Sequence, residues 1–419
     1  MLCTLRIAVV MLVAGLYVPA LAWTPAIDIS HASGNERSTP RIACGPDGTL
    51  NVVYINKGSP WSTYFRQRSA AGVWGPIEKI SSVFTTRPDV CQDLQGRVHV
   101  IYAAQPSGGQ LDLYHTIRQG GSWSGSYITS TSQYEDQPRM LLDPAGTIHL
   151  VFTRTNVESS SGDVVYRTWQ NGVWSGDTLL GQVTNSYYNR PDITRDASGT
   201  LHVVWAQRSG SVWKVRYRRF SGGTWSATQD IGSGAESDNH FFAYPRVATA
   251  GSGVVVVWHS NTGLWHNISL NGGASWTYPL SGTMQGQFLH AGHYPQMDSG
   301  PSGAHLVAQD GPGTSLLYAR FSGGAWTVLQ QVIAGPPGWK GWPDVVEDPS
   351  GVVHTVWDRA YGSSTSDHRI DYAASAADST PPGSVLNFTA IAMHNRVRLG
   401  WTNPSDPDFE RTIVRFKTT

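Results

Sequence analysis

Charge is the scarcest resource in this chain. Lys, Arg, Asp and Glu together make up 14% of 419 residues, with 30 basic against 30 acidic side chains and a formal net charge of zero, where an average soluble protein has about 25%. No basic block interrupts that balance, so the electrostatic footprint of a phosphate-backbone binder is missing and nucleic acid is not an expected partner. Cysteine is also scarce, at three residues, which excludes a disulfide-dense scaffold. Stretches free of Gly and Pro are short, because 45 glycines and 24 prolines are spread along the chain; helical bundles and coiled coils are excluded on that ground. Beyond the first residues no apolar run reaches the ~18 positions a membrane helix needs. What the chain has in plenty is aromatic and aliphatic surface: 17 Trp, 11% aromatic and 40% hydrophobic residues, enough to bury a large core and to exclude disorder.

Residues 1–22 read as an export signal. They carry Arg6, an apolar run from Ile7 to Val18, and the small-x-small triplet Ala20, Leu21, Ala22, so cleavage is expected after Ala22. Trp23 then starts the mature chain, in a secreted or cell-surface location. Cys3 leaves with the signal, and Cys44 and Cys91 remain in a compartment that permits disulfides.

The rest repeats with a period near fifty. Trp23, Trp74, Trp123, Trp174, Trp225, Trp276 and Trp326 stand 49 to 51 residues apart. Pro40, Pro88, Pro138, Pro191, Pro245, Pro295 and Pro343, each opening a short apolar run, stand 48 to 54 apart. A third marker precedes each following Trp: Tyr64, Tyr114, Tyr166, Tyr217, Trp265 and Tyr318, with Tyr372 as the seventh. Each unit reads as four short strands: one after the Pro, a Gly-ended turn such as Pro46-Asp47-Gly48, a β-branched run such as Leu201 to Trp205, a Tyr-bearing strand, and the Trp strand. Such a unit cannot bury both its faces alone, so neighbours must stack around an axis. The expected fold class is all-β, a seven-bladed β-propeller of four-stranded antiparallel blades spanning residues 23–375.

Ring closure is legible too. The seventh repeat lacks its Trp strand, while Trp23 to Ser30 matches Trp74 to Ser81; the N-terminal strand is expected to complete the last blade and remove the open edge. Cys44 and Cys91 lie on equivalent inner strands with opposite parity. Two readings follow: a Cys44–Cys91 bridge between blades one and two, if the Cα atoms come within about 7 Å, or two buried free thiols.

Ser269-Leu270-Asn271-Gly272-Gly273-Ala274-Ser275-Trp276 resembles the Asp-box turn, Ser-x-Asp-x-Gly-x-Thr-Trp, of the sialidase-superfamily (BNR-repeat) propellers, with Asn for Asp and Ser for Thr; Gly222 to Trp225, Gly323 to Trp326 and Asn171 to Trp174 are degenerate copies. In that family the turn is peripheral, so the resemblance implies fold and not activity. Past a Pro-rich linker at 376–383, the segment 384–419, with Val385 to Ala390, Val397 to Trp401 and Asn403 to Asp408, resembles the first strands of a fibronectin type III domain. A whole sandwich of that kind needs ~100 residues, so only part of one is expected here.

Loops before the inner strands and after the second strands of a propeller share one axial face. Mapped onto this chain, the candidate ligand-binding residues are Arg37, Arg87, Tyr188, Arg190, His240, Tyr244, His259, His290, His293, Tyr294, Trp339 and Asp358. Rings with charged groups around a concavity suit sugars, so the expected partner is a glycan or cell-surface ligand and the propeller is expected to be monomeric. Arg37, Arg87 and Arg190 would suit a carboxylate, as the arginine triad of sialidases does; the Arg-Ile-Pro motif is absent, since Pro40 follows Arg37-Ser38-Thr39. His-x-x-x-Tyr-Pro occurs twice, His240 to Pro245 and His290 to Pro295, and with an Arg would suit proton abstraction from a uronate, as in propeller polysaccharide lyases. The preferred function is a carbohydrate- or surface-ligand-binding module of a multidomain extracellular protein. The alternatives are a glycan-active hydrolase or lyase and a protein-interaction scaffold. No catalytic residue can be assigned, and no cofactor or metal is expected: His99, His149, His202 and His354 sit at equivalent positions of different blades, too far apart to share an ion, and read as buried structural residues.

Overall fold

The structure, a computed structural model, describes residues 22–30, 37–106, 109–156, 161–183, 190–209, 212–235, 243–260, 262–278, 280–281, 284–327, 329–333, 340–360, 368–375, 386–393 and 396–402. Trp23–Ala376 is one compact unit, and its sheets are the seven expected blades. Blade one has Arg37–Cys44 innermost, then Leu50–Asn56, Ser62–Arg68 and Trp74–Lys79. The inner strands of blades two to seven are Phe84–Gln92, Tyr134–Leu142, Asp192–Arg195, Ala243–Ala250, Gly292–Gly300 and Lys340–Glu347. Second strands are covered on both faces by neighbouring blades, so Leu50–Asn56 and Gly253–Ser260 are buried throughout and read as near-continuous apolar runs rather than alternating ones. Separately, Leu386–Met393 and Arg396–Thr402 form a two-stranded antiparallel hairpin.

The ring closes as expected. Ile27 pairs with Tyr372 and Asp28 with Asp371, and a further bridge joins Trp23 to Ser375. Each outer-strand Trp packs on the third strand of the blade before it: Trp74 on Tyr372, Trp123 on Phe65, Trp174 on His115, Trp225 on Tyr166, Trp276 on Tyr217, Trp326 on His266 and Trp23 on Tyr318, with ring centroids 5.0 to 6.1 Å apart. In blades one, two and five the receiving residue is thus one position beyond Tyr64, Tyr114 and Trp265. Strand alternation turns those three rings to the opposite face; Tyr64, for example, stacks on Tyr54 at 5.9 Å.

Beneath the Trp layer runs a repeated polar chain. A turn carboxylate holds Nε2 of a second-strand His, whose Nδ1 meets a third-strand Tyr hydroxyl: Asp143–His149–Tyr166, Asp196–His202–Tyr217 and Asp348–His354–Tyr372, with 2.7 to 2.8 Å at the Tyr and 3.0 to 3.4 Å at the carboxylate. Blade two uses His115 in place of Tyr, next to His99 and Asp93. In blade six the turn residue is Gly300, and Glu347 of blade seven reaches in to bind His305 at 3.0 Å; a Cβ on Gly300 would lie 2.1 Å from that carboxylate. Burial lowers the pKa of His99, His149, His202 and His354, and pushes His115 down to about 3. His99, His149, His202 and His354 are the structural histidines expected from sequence, and His115 joins them.

The innermost layer is a belt of charge. The residue after each anchor Pro is, from blade one to seven, Arg41, Asp89, Arg139, Asp192, Arg246, Gln296 and Asp344. Arg139 bonds Asp192 at 2.9 Å and Asp89 at 3.2 Å, Arg41 lies 3.7 Å from Asp344, and Arg246 donates to Gln296 at 2.7 Å. Each Asp also accepts a backbone N–H of the next blade: Asp89 from Met140, Asp192 from Val247, and Asp344 from Ile42 across the closure, at 2.6 to 3.0 Å. Burial lowers the Arg246 guanidinium to about 9, whereas Asp89 and Asp192 more than offset the burial of Arg139 and raise it.

The two cysteines are free, which corrects the bridge in favour of the thiol reading. Their parity is opposite, but the sense is outward. Cys44 packs with Ile42, Val346 and Tyr372 towards blade seven. Cys91 is opposite His99, whose ring lies against Trp169 of blade three, while Val90 is the residue that faces blade one. Burial pushes the Cys44 thiol up to about 12 and raises Cys91 as well.

Two tests follow. Asp192→Ala leaves Arg139 with one partner and the Val247 N–H with none, and is expected to lower the urea-unfolding free energy by about 3–5 kcal/mol. Because the histidines have folded pKa values below the unfolded 6.5, the unfolded chain binds more protons under mild acid and stability falls as pH drops below that value. Asp298, pushed up to about 7 by burial beside Asp344, acts in the opposite sense, as do Asp344 and Glu135, which burial also raises, but these three carboxyls stand against seven lowered histidines. The thermal midpoint should therefore be lower at pH 5 than at pH 7.5, and Tyr217→Phe, which strips His202 Nδ1 of its partner, should cost about 1–3 kcal/mol at pH 7.5.

Candidate functional site

At the axial mouth the inner strands share an unusual backbone. The residue before the anchor Pro is left-handed in six blades: Thr39, Arg87, Gln137, Tyr244, Tyr294 and Trp342 have φ between 33° and 58°. A residue preceding Pro prefers extended conformations, and a left-handed non-glycine costs on the order of 1–3 kcal/mol. Each of these positions coincides with a slip in register, as between Ser38 and Arg41 or between Thr86 and Asp89. The bulge re-aims the side chain out of the ladder. Arg190 stands at the same position of blade four, before Pro191.

The ring so formed is divided. Blades five, six and seven supply Tyr244, Tyr294 and Trp342, whose centroids lie 4.3 to 5.8 Å apart. Blades one to four supply Thr39, Arg87, Gln137 and Arg190. The Arg190 guanidinium is clamped between the halves, 4.9 Å from the Tyr244 centroid and 4.6 Å from that of Trp342, within cation–π range. Arg190 is 6% exposed, and its Nε has no hydrogen-bond partner among the described residues. Burial, with Arg87 and Arg41 nearby, lowers it to about 10, so it stays charged at neutral pH. Arg87 is held by Asp136.

Beside this clamp, between blades one and two, lies a cavity of about 290 Å³. Its walls are cationic at Lys57, Arg87 and Arg190, hydroxylic at Ser38, Thr39 and Thr86, and aromatic at Trp61, Phe84 and Trp342; no carboxylate is among its described lining residues. Trp61 is 37% exposed and stacks on Phe84 at 5.5 Å and 27°, with the Lys57 ammonium 5.1 Å from its ring. The pair makes a flat platform at the rim. At the other end of the axis a second cavity of about 250 Å³ is lined by Cys44, Cys91, Asp89, Asp298 and Asp344. No group of three or more His, Cys, Asp or Glu among the described residues could hold a metal ion.

The residues anticipated from sequence fall into four sets. Arg87, Arg190, Tyr244 and Tyr294 meet at the mouth. His259 and His293 form a separate pair, Nε2 to Nδ1 at 2.6 Å, with both rings within 6.4 Å of Tyr294; burial lowers His293. Arg37, His290 and Asp358 do not line the cavity. Arg37 is buried near Tyr54, His290 Nδ1 donates to the Ala291 carbonyl at 2.7 Å, and Asp358 is buried against His368 at 2.6 Å. Tyr188, His240 and Trp339 lie outside the described residues, so the three-arginine arrangement reduces here to Arg87 and Arg190. Sequence reasoning missed Lys57 and Trp61, although they occupy the loop after the second strand of blade one; a cation and a Trp in one such loop were the available signal. It also missed Thr39 and Thr86, whose residue types carry none.

The Ser269–Trp276 turn is held by its own side chains: Gly273 N donates to Ser269 Oγ at 2.8 Å and Ser275 N to Asn271 Oδ1 at 2.9 Å. Gly273 has φ +76°, and a Cβ there would overlap the Tyr217 hydroxyl of blade four. The turn therefore serves blade stacking.

No protein-family model matches the chain, and no curated protein matches it in sequence. No helix among the described residues is long and apolar enough to cross a membrane. Solved structures do resemble it. The BP39L lectin from Burkholderia pseudomallei aligns over 80% of this chain and 98% of its own, with TM-score 0.54 and 13% identity. The GH93 α-L-arabinofuranosidase of Fusarium graminearum aligns over 84% and 97%, with TM-score 0.50 and 13% identity. The intramolecular trans-sialidase from Ruminococcus gnavus aligns over 84% and 96%, with TM-score 0.47 and 12% identity. At these identities the likeness is one of fold: a seven-bladed propeller with sialidases and a GH93 enzyme among its structural neighbours.

Proposed function

We propose that the protein is an exported carbohydrate-binding propeller whose ligand occupies the cavity between blades one and two. The observation that carries this reading is the wall composition: an exposed Trp61–Phe84 platform for the apolar face of a sugar ring, hydroxyl and cationic donors opposite, and a volume of about 290 Å³ that suits one or two sugar residues. A flat protein-contact face would not need such a polar recess. Hydrolysis at this site would call for a carboxyl pair flanking the scissile bond, and none is among the described residues that line the cavity, which favours binding over turnover. The lectin and the arabinofuranosidase that share the fold are in keeping with a saccharide ligand. Export by residues 1–22 and a fibronectin type III-like segment at 384–419 complete the proposal of a module within a larger extracellular protein.

A glycan array on the exported chain, followed by calorimetry on the hits, tests this. Trp61→Ala is expected to weaken binding at least about tenfold, the effect of losing ~1.4 kcal/mol at an aromatic anchor, with unchanged thermal stability. Parallel assays for new reducing ends and for unsaturated uronates should stay at background. No binding across the array, or turnover that survives loss of Trp61, would overturn the proposal.

A further inference from the structure

Arg190 is an odd residue to bury. Its guanidinium is wedged between two rings that can stabilise its charge but accept no conventional hydrogen bond, its Nε is unpartnered among the described residues, and it forms part of the wall of the 290 Å³ cavity. Leaving a charged donor unsatisfied in this way is expensive unless a ligand completes it. The rest of the wall points the same way. Lys57 and Arg87, the latter paired with Asp136, bring two more cations, Ser38, Thr39 and Thr86 bring hydroxyls, and no carboxylate is among the described lining residues.

We propose that the saccharide bound here carries a sulfate ester, and that Arg190 is the fixed donor that reads it. This rests on the reading of the cavity as a saccharide site. A carboxylate offers two oxygens in one plane, which a single bidentate Arg satisfies. The cavity instead gathers its donors from three blades: Lys57 with Ser38 and Thr39 from blade one, Arg87 with Thr86 from blade two, and Arg190 from blade four. Donors arriving from three directions suit the three terminal oxygens of a tetrahedral ester better than a planar pair. The volume exceeds that of a bare anion, so the oxyanion comes attached to something larger, and Trp61 gives its ring a place to stack. The π-clamp holds Arg190 in position before the ligand arrives, which spares the entropy of ordering a long side chain on binding.

The experiment is calorimetry at 0.15 M NaCl with four probes: sulfated galactan oligosaccharides, the same oligosaccharides after desulfation, oligogalacturonate of equal length, and sodium sulfate alone. The sulfated oligomer should bind at least about tenfold more tightly than its desulfated form, and Arg190→Gln should erase that difference. Lys57→Gln, at the rim, should reduce it several-fold, while Lys79→Gln on the outer strand of blade one leaves it intact. If Arg190→Gln proves unfolded by circular dichroism, Lys57→Gln carries the test, and full discrimination in that variant overturns the proposal. Oligogalacturonate binding as well as the sulfated oligomer overturns sulfate in favour of carboxylate. Equal binding of the desulfated oligomer overturns the oxyanion while leaving the saccharide site standing, and sodium sulfate binding as tightly as the oligomer makes the site one for a free anion. Absence of binding by every saccharide defeats the parent reading as well.

Discussion

Seven inner strands converge on one axis, and what they do with the residue after each anchor Pro decides whether the ring holds. Blades alternate Arg, Asp, Arg, Asp, Arg and then must stop, because an odd ring cannot alternate two signs all the way round. Gln296 resolves the parity: its amide accepts from Arg246 and stands between that cation and Asp344 without adding a charge. Three cations and three anions remain, so the belt is neutral. Burying it is tolerable because Arg139 lies between two carboxylates and the carboxylates also accept main-chain N–H groups of the following blade. An ion pair this deep adds little net stability over apolar packing, yet breaking one costs several kcal/mol. The belt therefore acts chiefly as a register lock: a blade displaced by one strand position would bring an apolar neighbour to face a buried charge.

The outer layers repeat that logic with softer contacts. Trp on aromatic, Tyr on His and His on carboxylate each tie one blade to itself or to its predecessor, and where a turn lacks its acid the next blade provides a polar group in its place. Gly300 and Glu347 show the exchange, and blade one shows it again: Gly45 leaves room for Gln92 of blade two, which accepts from Asn51 at 2.6 Å. Such substitutions explain why the repeats look degenerate in sequence while the blades superimpose in kind. The mouth differs because the residues before its anchor prolines, six of them left-handed, need not agree from blade to blade. Thr, Arg, Gln, Arg, Tyr, Tyr and Trp occupy one structural position, and that freedom divides the ring into a polar and an aromatic half.

Period and closure were readable because they depend on residues that recur: Pro, turn Gly and outer Trp mark fifty-residue steps, and Trp23 to Ser30 visibly completes the last one. Face assignments were harder. Tyr64, Tyr114 and Trp265 look like the partners of the following Trp, but Phe65, His115 and His266 stand beside them and only the local pairing decides which ring turns outward. The cysteines show the same limit: parity says that Cys44 and Cys91 point to opposite sides, while the handedness of the ring says which side is whose. The belt was present as one residue per repeat, visible only when the seven post-proline positions are read together. Arg87 and Arg190 could be placed at the mouth from the loop rule. That Arg190 would sit between Tyr244 and Trp342 depends on three blades whose order around the axis has no local trace in the chain.

The seventh blade is built from both ends of the propeller, Ile27 and Asp28 lying against Tyr372 and Asp371. During synthesis the first strand emerges long before its partner exists, and six blades can form while it waits. Throughout that interval one strand edge stays open at each side of the gap, the condition under which β-structures find the wrong partner. Closure of the ring therefore depends on a pairing between the two ends of the propeller sequence. Whatever order the other blades take, the ring cannot shut until residues 368–374, the last strand of the propeller, have been made.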